Sequence, residues 1–439
     1  MPYTDRLRGA PSIRYDGRKP LHRLTIRGHL KSKLFVAASG CLALLGLLPL
    51  LAQRQGSKPH TTEQAAVSNR QPPSSADFAG DASCTACHQQ QSAHYAETAH
   101  HLTSQWPNAH SIAGKFNAGS NVLQTALPEL TYVMSEDHGK FVESAVMQNS
   151  SGAPVTYTEP IDIVVGAGRK GQTYLFWRDD QLFELPTSYW TQSSQWTYSP
   201  GYEDGTINFD RAIAPRCLEC HASYFESLTP PENRFNKSSL VLGITCERCH
   251  GPGRKHVALY SNGGTLPAGA SKAIVNPAKL ARERQLDLCS LCHAGSVKPI
   301  APAMTFQVGD NIEKFLKIPE PGPNVVVDVH GNQMELLRRS RCFRSSQMTC
   351  STCHNTHAPQ QDAAAFSPTC LTCHKAQQCG KFKTLGAQIA QNCVDCHMPL
   401  QKSEVLFSEL NGEELQPLVR NHQIGIYPSA TVPKPAPVH

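Results

Sequence analysis

Apolar and polar positions are distributed unevenly along this chain. The longest apolar run, residues 34–52, has nineteen residues without a charge, just enough helix to cross a hydrocarbon layer of about 30 Å. Nine basic and two acidic residues precede it within residues 1–33. The positive-inside tendency then predicts an uncleaved transmembrane anchor, with everything after it outside the cytoplasm. A signal peptide that is cleaved near Ala52 is the alternative.

A second pattern, rich in β-branched and aromatic residues, occupies residues 123–190. Asp179 and Asp180 are typical of a hairpin turn within it. Three glycines, Gly166, Gly168 and Gly171, match Gly-x-Gly-x-x-Gly, but a nucleotide site of that kind requires a helix next, whereas a strand is predicted. We therefore predict a turn there and no nucleotide ligand. The predicted strands are 131–134, 141–147, 161–165, 173–177 and 182–185.

Composition and charge exclude some classes of protein. The net charge of +6 arises from residues 1–33, which carry +7, so the rest of the chain carries −1. A nucleic-acid surface is therefore not predicted. Aromatic residues are only 7% of the chain, which predicts that something other than side chains fills part of the interior.

Fourteen of the seventeen cysteines belong to seven Cys-x-x-Cys-His motifs. Two cysteines three positions apart project from one helical turn and can form thioethers to a porphyrin, while the next histidine ligates the iron. Zinc also uses paired cysteines, and a disulfide framework is a second alternative. A histidine after every one of seven pairs favours haem. The motifs, numbered here as sites 1 to 7, are Cys84/Cys87/His88, Cys217/Cys220/His221, Cys246/Cys249/His250, Cys289/Cys292/His293, Cys350/Cys353/His354, Cys370/Cys373/His374 and Cys393/Cys396/His397.

Each haem iron also has a second axial position, and further histidines are available to fill it. His256 and His357 follow sites 3 and 5 closely and are the strongest candidates. His100 and His422 come next, and His330 is a weaker candidate. His94, His101 and His110 are alternatives to His100 as the second axial ligand, whereas His138 is predicted to lie in a β-turn. A disulfide between Cys342 and Cys379, two of the three cysteines outside the motifs, is left open.

Five segments carry a resemblance to a known superfamily: residues 84–103, 217–221, 246–256, 340–357 and 393–399. They resemble the multihaem cytochrome c superfamily that includes cytochrome c554, hydroxylamine oxidoreductase and the pentahaem nitrite reductases, and look most similar to a cytochrome c554-like branch with a β insert. The resemblance implies a bacterial periplasmic setting and His100, His256, His357 and His422 as distal ligands. The Cys-x-x-Cys-Lys motif of the nitrite reductases does not occur here, so ammonia-forming nitrite reduction is disfavoured.

The predicted fold class is mainly α and irregular, a multihaem cytochrome c fold with a β-rich insert and little regular secondary structure around the haems. Its predicted parts, in chain order, are a basic cytoplasmic N-terminus at 1–33, the anchor or signal peptide at 34–52, a flexible linker at 53–80, a first haem segment at 81–116, the β-rich insert at 117–210, a six-haem domain at 211–425 and a disordered tail at 426–439.

The sequence thus predicts a seven-haem c-type cytochrome, anchored by its N-terminal helix on the periplasmic side of the bacterial inner membrane, that transfers electrons between respiratory partners. Those partners are redox proteins or a quinol-oxidising membrane complex. Secretion to the periplasm after cleavage is the alternative location. The alternative function is a multihaem oxidoreductase acting on a small nitrogen or sulfur compound, of the nitrite, hydroxylamine or tetrathionate class, at one open-face haem.

Overall fold

The computed structural model describes residues 70–261, 267–295, 297–320, 322, 325–360 and 362–428. The predictions made for residues 1–33 and 34–52, for most of the linker and for nearly all of the C-terminal tail therefore lie outside the described residues. Within them, 28% of the residues are helical and 24% are in strands.

The first half of the described chain forms a β-sandwich. Its nine strands are β1 (Ser104–Gln105), β2 (Val122–Gln124), β3 (Leu130–Asp137), β4 (Lys140–Gln148), β5 (Pro154–Pro160), β6 (Ile163–Val165), β7 (Gln172–Arg178), β8 (Gln181–Trp190) and β9 (Gln195–Tyr198). One antiparallel sheet has the order β2-β3-β4-β5, and the other has the order β1-β6-β7-β8-β9. All five strands predicted between residues 131 and 185 coincide with strands of these two sheets.

The alternation of side chains along each strand builds the sandwich core. Leu130, Tyr132 and Met134 on β3 are buried, while their neighbours are partly exposed, as expected when successive side chains point to opposite faces of a sheet. They pack in one cluster with Tyr174 of β7 and Trp196 of β9. Asp179 adopts a positive φ in the two-residue turn between β7 and β8, as predicted from the Asp-Asp pair.

The helices are short and lie mainly in the second half of the chain. Eleven α-helices are described: α1 (Asp81–Thr85), α2 (Gln89–Tyr95), α3 (Pro215–His221), α4 (Cys246–His250), α5 (Arg254–Ser261), α6 (Arg282–His293), α7 (Gln333–Arg338), α8 (Arg341–Arg344), α9 (Ser367–Leu371), α10 (Phe382–Leu385) and α11 (Val394–His397). Single 3-10 turns lie at Ser75–Asp77, His101–Thr103, Ala270–Lys272, Pro277–Lys279, Ile312–Lys314, Cys350–Thr352, Ala363–Phe366, Ala376–Gln378 and Gly386–Gln391.

Four antiparallel strand pairs are interspersed among these helices. They are β10 (Ala222–Ser227) with β11 (Phe235–Leu242), β12 (Lys298–Pro299) with β13 (Leu316–Lys317), β14 (Leu400–Lys402) with β17 (Leu418–Arg420), and β15 (Ser408–Leu410) with β16 (Glu413–Leu415). The last pair returns to the sandwich, where the Ser408 hydroxyl donates to the Tyr198 carbonyl at 2.7 Å.

The prediction of a mainly α and irregular fold with little regular structure around the haems is wrong. Strands are nearly as frequent as helical residues among the described residues. The sequence analysis missed the small strand pairs because strands of two or three residues are too short to show a period-two pattern.

The predicted location at the inner membrane is also corrected. No helix among the residues that the structure describes is long and apolar enough to span a bilayer. Residues 34–52, from which both the anchor and the cleavable signal were predicted, lie outside those residues.

One carboxylic acid is buried between the two sheets and gives a first testable prediction. Glu143 of β4 is fully buried, and its Oε2 accepts a hydrogen bond from the Thr187 hydroxyl at 2.7 Å. Burial raises its pKa to about 8. The folded protein therefore holds a proton that the unfolded chain, with an ordinary glutamate pKa of ~4.3, has already lost. Stability should consequently fall as the pH rises from about 5 to about 8.

Glu143→Gln keeps an acceptor for Thr187 and removes this titration. We expect the variant to lose this part of the pH dependence and to be more stable than the wild type at pH 8, by a few kcal/mol, as measured by chemical denaturation at several pH values. Glu136→Gln, at an exposed position of β3 in the same sheet, is the matched control and should keep the wild-type slope. An unchanged slope in Glu143→Gln would contradict the assignment.

Candidate haem sites

All seven Cys-x-x-Cys-His motifs lie in helical turns. Sites 2, 3 and 4 are within α3, α4 and α6. In the other four sites the histidine N–H donates to the carbonyl of the first cysteine, four residues earlier, at 2.9–3.0 Å. Each five-residue motif therefore forms one turn, which places its two thiols and its imidazole on neighbouring positions, as attachment of a porphyrin requires.

Thiols of different motifs are close neighbours. Side-chain contacts join Cys84 to Cys246, Cys220 to Cys292, Cys289 to Cys350 and Cys370 to Cys393. Weaker electrostatic neighbours are Cys249 with Cys289 and Cys353 with Cys370. All seven sites therefore form one connected series, 1-3-4-5-6-7, with site 2 beside site 4. A three-residue cluster of potential metal ligands, Asp81, Cys84 and Cys246, lies where sites 1 and 3 meet.

Burial is not uniform among the fourteen predicted thioether cysteines. Cys87 and Cys373 are exposed, because their turns lie at the surface, where residues 85–88 of site 1 and 372–375 of site 6 are all exposed. Thioether formation by Cys87 and Cys373 stays a prediction.

Cys217, the first cysteine of site 2, is also exposed. Its partner Cys220 in the same turn is only partly exposed, because it faces Cys292 of α6. The remaining motif thiols are likewise of intermediate exposure.

A buried ion-pair network connects the helices of sites 2, 3 and 4. Glu219, inside the site 2 motif, accepts a hydrogen bond from Arg216 at 2.6 Å and another from the Met304 N–H at 2.9 Å. Arg216 also donates to the Leu291 carbonyl in α6, and Arg248 of α4 donates to the Glu219 carbonyl at 2.9 Å. Because unpaired buried charges are costly, these contacts hold the three helices in one arrangement.

Three motif histidines face a histidine from a distant part of the chain. The ring centroids are 6.1 Å apart for His293 and His100, 6.0 Å for His250 and His357, and 6.3 Å for His354 and His422. An imidazole nitrogen lies about 2 Å from a bound metal ion, so two imidazoles on opposite sides of one ion have centroids about 6 Å apart. The three pairs fit bis-histidine coordination of haem iron.

Two further pairs are electrostatic neighbours. His256 interacts with His88 of site 1, and His330 interacts with His221 of site 2. The Nδ1 atom of His256 is buried without a hydrogen-bond partner among the described residues. Sites 1 to 5 are thus each associated with one of the predicted distal candidates. The pairing itself was not foreseen, since His357 follows site 5 in sequence but faces site 3.

Several motif histidines are held by a contact at their Nδ1 atom. The carbonyls of Val275 and Gly425 lie 2.8 and 2.7 Å from the Nδ1 atoms of His250 and His397, and Gln333 Oε1 lies 3.2 Å from Nδ1 of His293. A proton on Nδ1 leaves the Nε2 lone pair available for a metal, and such contacts fix the ring.

Desolvation by surrounding protein atoms favours the neutral form of five of the histidines at these sites, namely His100, His221, His293, His354 and His422. It lowers the pKa of His100 to about 4, helped by the nearby His293 and His354. Desolvation also lowers the pKa of His422 to about 4, although the hydrogen bond with the Arg420 carbonyl acts in the opposite direction. The pKa values of His221, His293 and His354 are likewise lowered, mainly by burial. Only the neutral form can ligate iron, so at neutral pH no proton has to leave before coordination.

The segment from His100 to Gln105 connects the sandwich to these sites. His100 faces His293, Thr103 Oγ1 lies 3.1 Å from Nδ1 of His221, and Ser104 donates to the His221 carbonyl. Gly243, with φ of +71°, allows the close approach of this segment, since a Cβ there would overlap the His101 carbonyl oxygen. A residue with a side chain at position 243 would therefore prevent this close approach.

The structure does not bring every candidate to a site. His138 is exposed in the turn between β3 and β4, as predicted. His94 and His110 are exposed and contact no motif histidine among the described residues. His374 and His397 of sites 6 and 7 also make no ring contact or hydrogen bond with a second described histidine. Cys342 and Cys379 are free thiols, near Cys353 and Cys396 respectively, so the disulfide left open by the sequence is not formed.

Sequence reasoning missed the residues that support the ligands, notably Thr103, Glu219 and Arg248. A signal for two of them was present, because Glu219 and Arg248 are charged residues between the paired cysteines. Charges there have to be neutralised when the turn is buried. Nothing local marks Thr103, whose partner is 118 residues away.

Comparison with known proteins agrees with this chemistry. Residues 186–251, which contain sites 2 and 3, match the family model described as "Cytochrome c554 and c-prime". Multiheme cytochrome MtrA of Shewanella baltica is 28% identical over 192 residues, covering 38% of this chain and 54% of MtrA. C-type polyheme cytochrome OmcC of Geobacter sulfurreducens is 27% identical over 166 residues, covering 36% of this chain and 20% of OmcC. The chain therefore spans about half of the first relative and a fifth of the second.

A solved structure shares the fold. The crystal structure of Outer Cell Wall Cytochrome OcwA superposes with a TM-score of 0.50 at 14% sequence identity, over 79% of each chain. The arrangement of a β-rich part with short helical turns thus occurs in another cytochrome.

The histidine pairs give a second prediction. His422→Asn removes the imidazole opposite His354, so we expect one low-spin ferric centre to become high-spin in the electron paramagnetic resonance spectrum, without loss of haem. His138→Asn is the control, because His138 is exposed and asparagine tolerates its positive φ. A His422→Asn spectrum identical to that of the wild type would show that His422 is no ligand.

Proposed function

Since this chain belongs to the multihaem cytochrome c superfamily, we propose that it is an electron relay carrying seven haem c groups, one at each Cys-x-x-Cys-His turn. Covalently bound haem c and electron transfer are the properties of its multihaem relatives. We propose in addition the number of haems, their ligands and the class of redox partner. Each haem would supply a one-electron Fe(III)/Fe(II) couple.

The observation that carries the proposal is the set of facing histidines. Coordination of the iron from both sides is supported by three ring pairs, His293 with His100, His250 with His357 and His354 with His422. The same coordination is proposed for sites 1 and 2, whose His88 and His221 are electrostatic neighbours of His256 and His330 respectively. Iron with two histidine ligands has no open position for a substrate and suits electron transfer.

The contacts between motifs favour a relay, in which electrons pass from site to site, rather than isolated redox centres. Every site has a thiol next to a thiol of another site, from Cys84 with Cys246 at one end of the series to Cys370 with Cys393 at the other. The buried Arg216–Glu219 pair and Arg248 fix three of these sites relative to one another. We propose that electrons enter from a redox protein or a quinol-oxidising complex and leave to a second redox protein.

The haem number is directly testable. We expect the pyridine haemochrome and iron content of the purified holoprotein to give seven haems per chain, and Cys370→Ser/Cys373→Ser to give six, because that variant cannot form the site 6 thioethers. Cys342→Ser/Cys379→Ser is the matched control and should retain seven, since these cysteines lie outside the motifs. Seven haems in the first variant, or six in the wild type, would contradict the proposal.

A second candidate function is supported by sites 6 and 7. His374 and His397 contact no second histidine within the described residues, which favours an open iron face at one of them and a reductase or oxidase of a small nitrogen or sulfur compound. We expect the relay to give only low-spin ferric signals. The enzyme would instead give a high-spin signal in the wild type that shifts when nitrite, hydroxylamine or cyanide is added, and that is lost in Cys370→Ser/Cys373→Ser if site 6 is the open one.

A further inference from the structure

The part of the chain that holds sites 5 to 7 has a strong excess of positive charge. Residues 338–397 contain seven basic side chains and two acidic side chains, Asp362 and Asp395, for a net charge of +5. Because residues 34–439 together carry −1, the rest of that span carries −6. The nearly neutral total therefore conceals a separation of charge between the region of sites 5 to 7 and the remainder.

Most of this positive charge is exposed and unpaired. Arg339 forms an ion pair with Glu335 at 3.0 Å, and the Asp362 carboxylate accepts a hydrogen bond from the Ala364 N–H at 2.9 Å. The other six cations are exposed and form no side-chain hydrogen bond or ion pair with any residue that the structure describes. They are Arg338, Arg341, Arg344, Lys375, Lys381 and Lys383, and we call them the basic face.

The cations of the basic face are close to the haem turns. Arg341 and Arg344 lie on α8, whose Cys342 neighbours the thiols of Cys353 and Cys370 in sites 5 and 6. Lys375 directly follows His374 of site 6, in the exposed turn that also holds Cys373. Lys381 interacts electrostatically with Cys396 of site 7. Lys383 is on α10, which contacts the 3-10 turn that follows Lys375.

We propose that the basic face is the docking surface for an acidic redox protein, which exchanges electrons with this chain through sites 6 and 7; this rests on the proposed relay function. Six unpaired like charges repel one another, and an acidic partner removes that repulsion while it steers the encounter. Nucleic acid is a poorer fit, because few aromatic side chains are available for stacking bases. Of the two that are interleaved with these cations, Phe343 is buried and Phe382 is only partly exposed.

The test uses the reduced holoprotein and two small oxidants of opposite charge. Hexacyanoferrate(III) and hexaammineruthenium(III) each accept one electron from a ferrous haem, which becomes ferric. In stopped-flow experiments at low ionic strength we expect Lys375→Glu/Lys381→Glu/Lys383→Glu to slow oxidation by the anion about tenfold and to accelerate oxidation by the cation, and both effects to vanish at high salt.

Lys115→Glu/Lys140→Glu/Lys279→Glu is the matched control. It makes the same change in net charge at three exposed lysines outside the basic face, and we expect rates close to those of the wild type. Poly-L-glutamate serves as the probe for an acidic polypeptide. It should inhibit the reaction of the wild type and of the control with hexacyanoferrate(III), but not that of the basic-face variant.

Three outcomes would overturn the docking surface. One is equal rates for the basic-face variant and the control. Another is binding to vesicles that contain anionic phospholipid without inhibition by poly-L-glutamate, which would assign the face to a membrane. The third is haem loss or shifted spectra in the basic-face variant alone, which would assign the cations to haem carboxylates. Failure of the relay function is a separate result, namely a wild-type protein without seven haems.

Discussion

The structure depends on one constraint: a Cys-x-x-Cys-His turn supplies two thiols and one imidazole locally, but the second imidazole has to come from elsewhere. His293 and His100 are 193 positions apart in sequence, yet their rings lie 6.1 Å apart. Each such pair closes a long loop, which costs chain entropy that metal coordination has to offset. A haem held between two such imidazoles would therefore replace part of an ordinary apolar core.

One segment connects the β-sandwich to this arrangement of paired histidines. β1 is joined by hydrogen bonds to β6, and the residues just before and within it contact the histidine of site 2 and the end of β11. His100 precedes this segment and faces site 4. The sandwich, with its own core of Leu130, Tyr132 and Trp196, thus positions His100 opposite a histidine of the helical part.

The parts that sequence reasoning predicted well are those with local causes. The strands of the sandwich follow from alternating residues, the Asp179 turn from its residue type, and the helical form of each motif from its spacing. The fold class was wrong because several strands are too short for a pattern, and the membrane location rested on residues outside those described. The distal candidates were named as a set, but a set of histidines carries no information about which site each one faces.

The sequence alone determined the chemistry, because thioether attachment and the first ligand require only five consecutive residues. It also determined the charge of each segment, including the +5 of residues 338–397. Only the tertiary structure decided that His357 faces site 3 instead of the adjacent site 5, that the turns of Cys87 and Cys373 lie at the surface, and that the thiols connect all seven sites. These features arise from contacts between residues far apart in the chain, and their geometry is set by packing rather than by any local pattern.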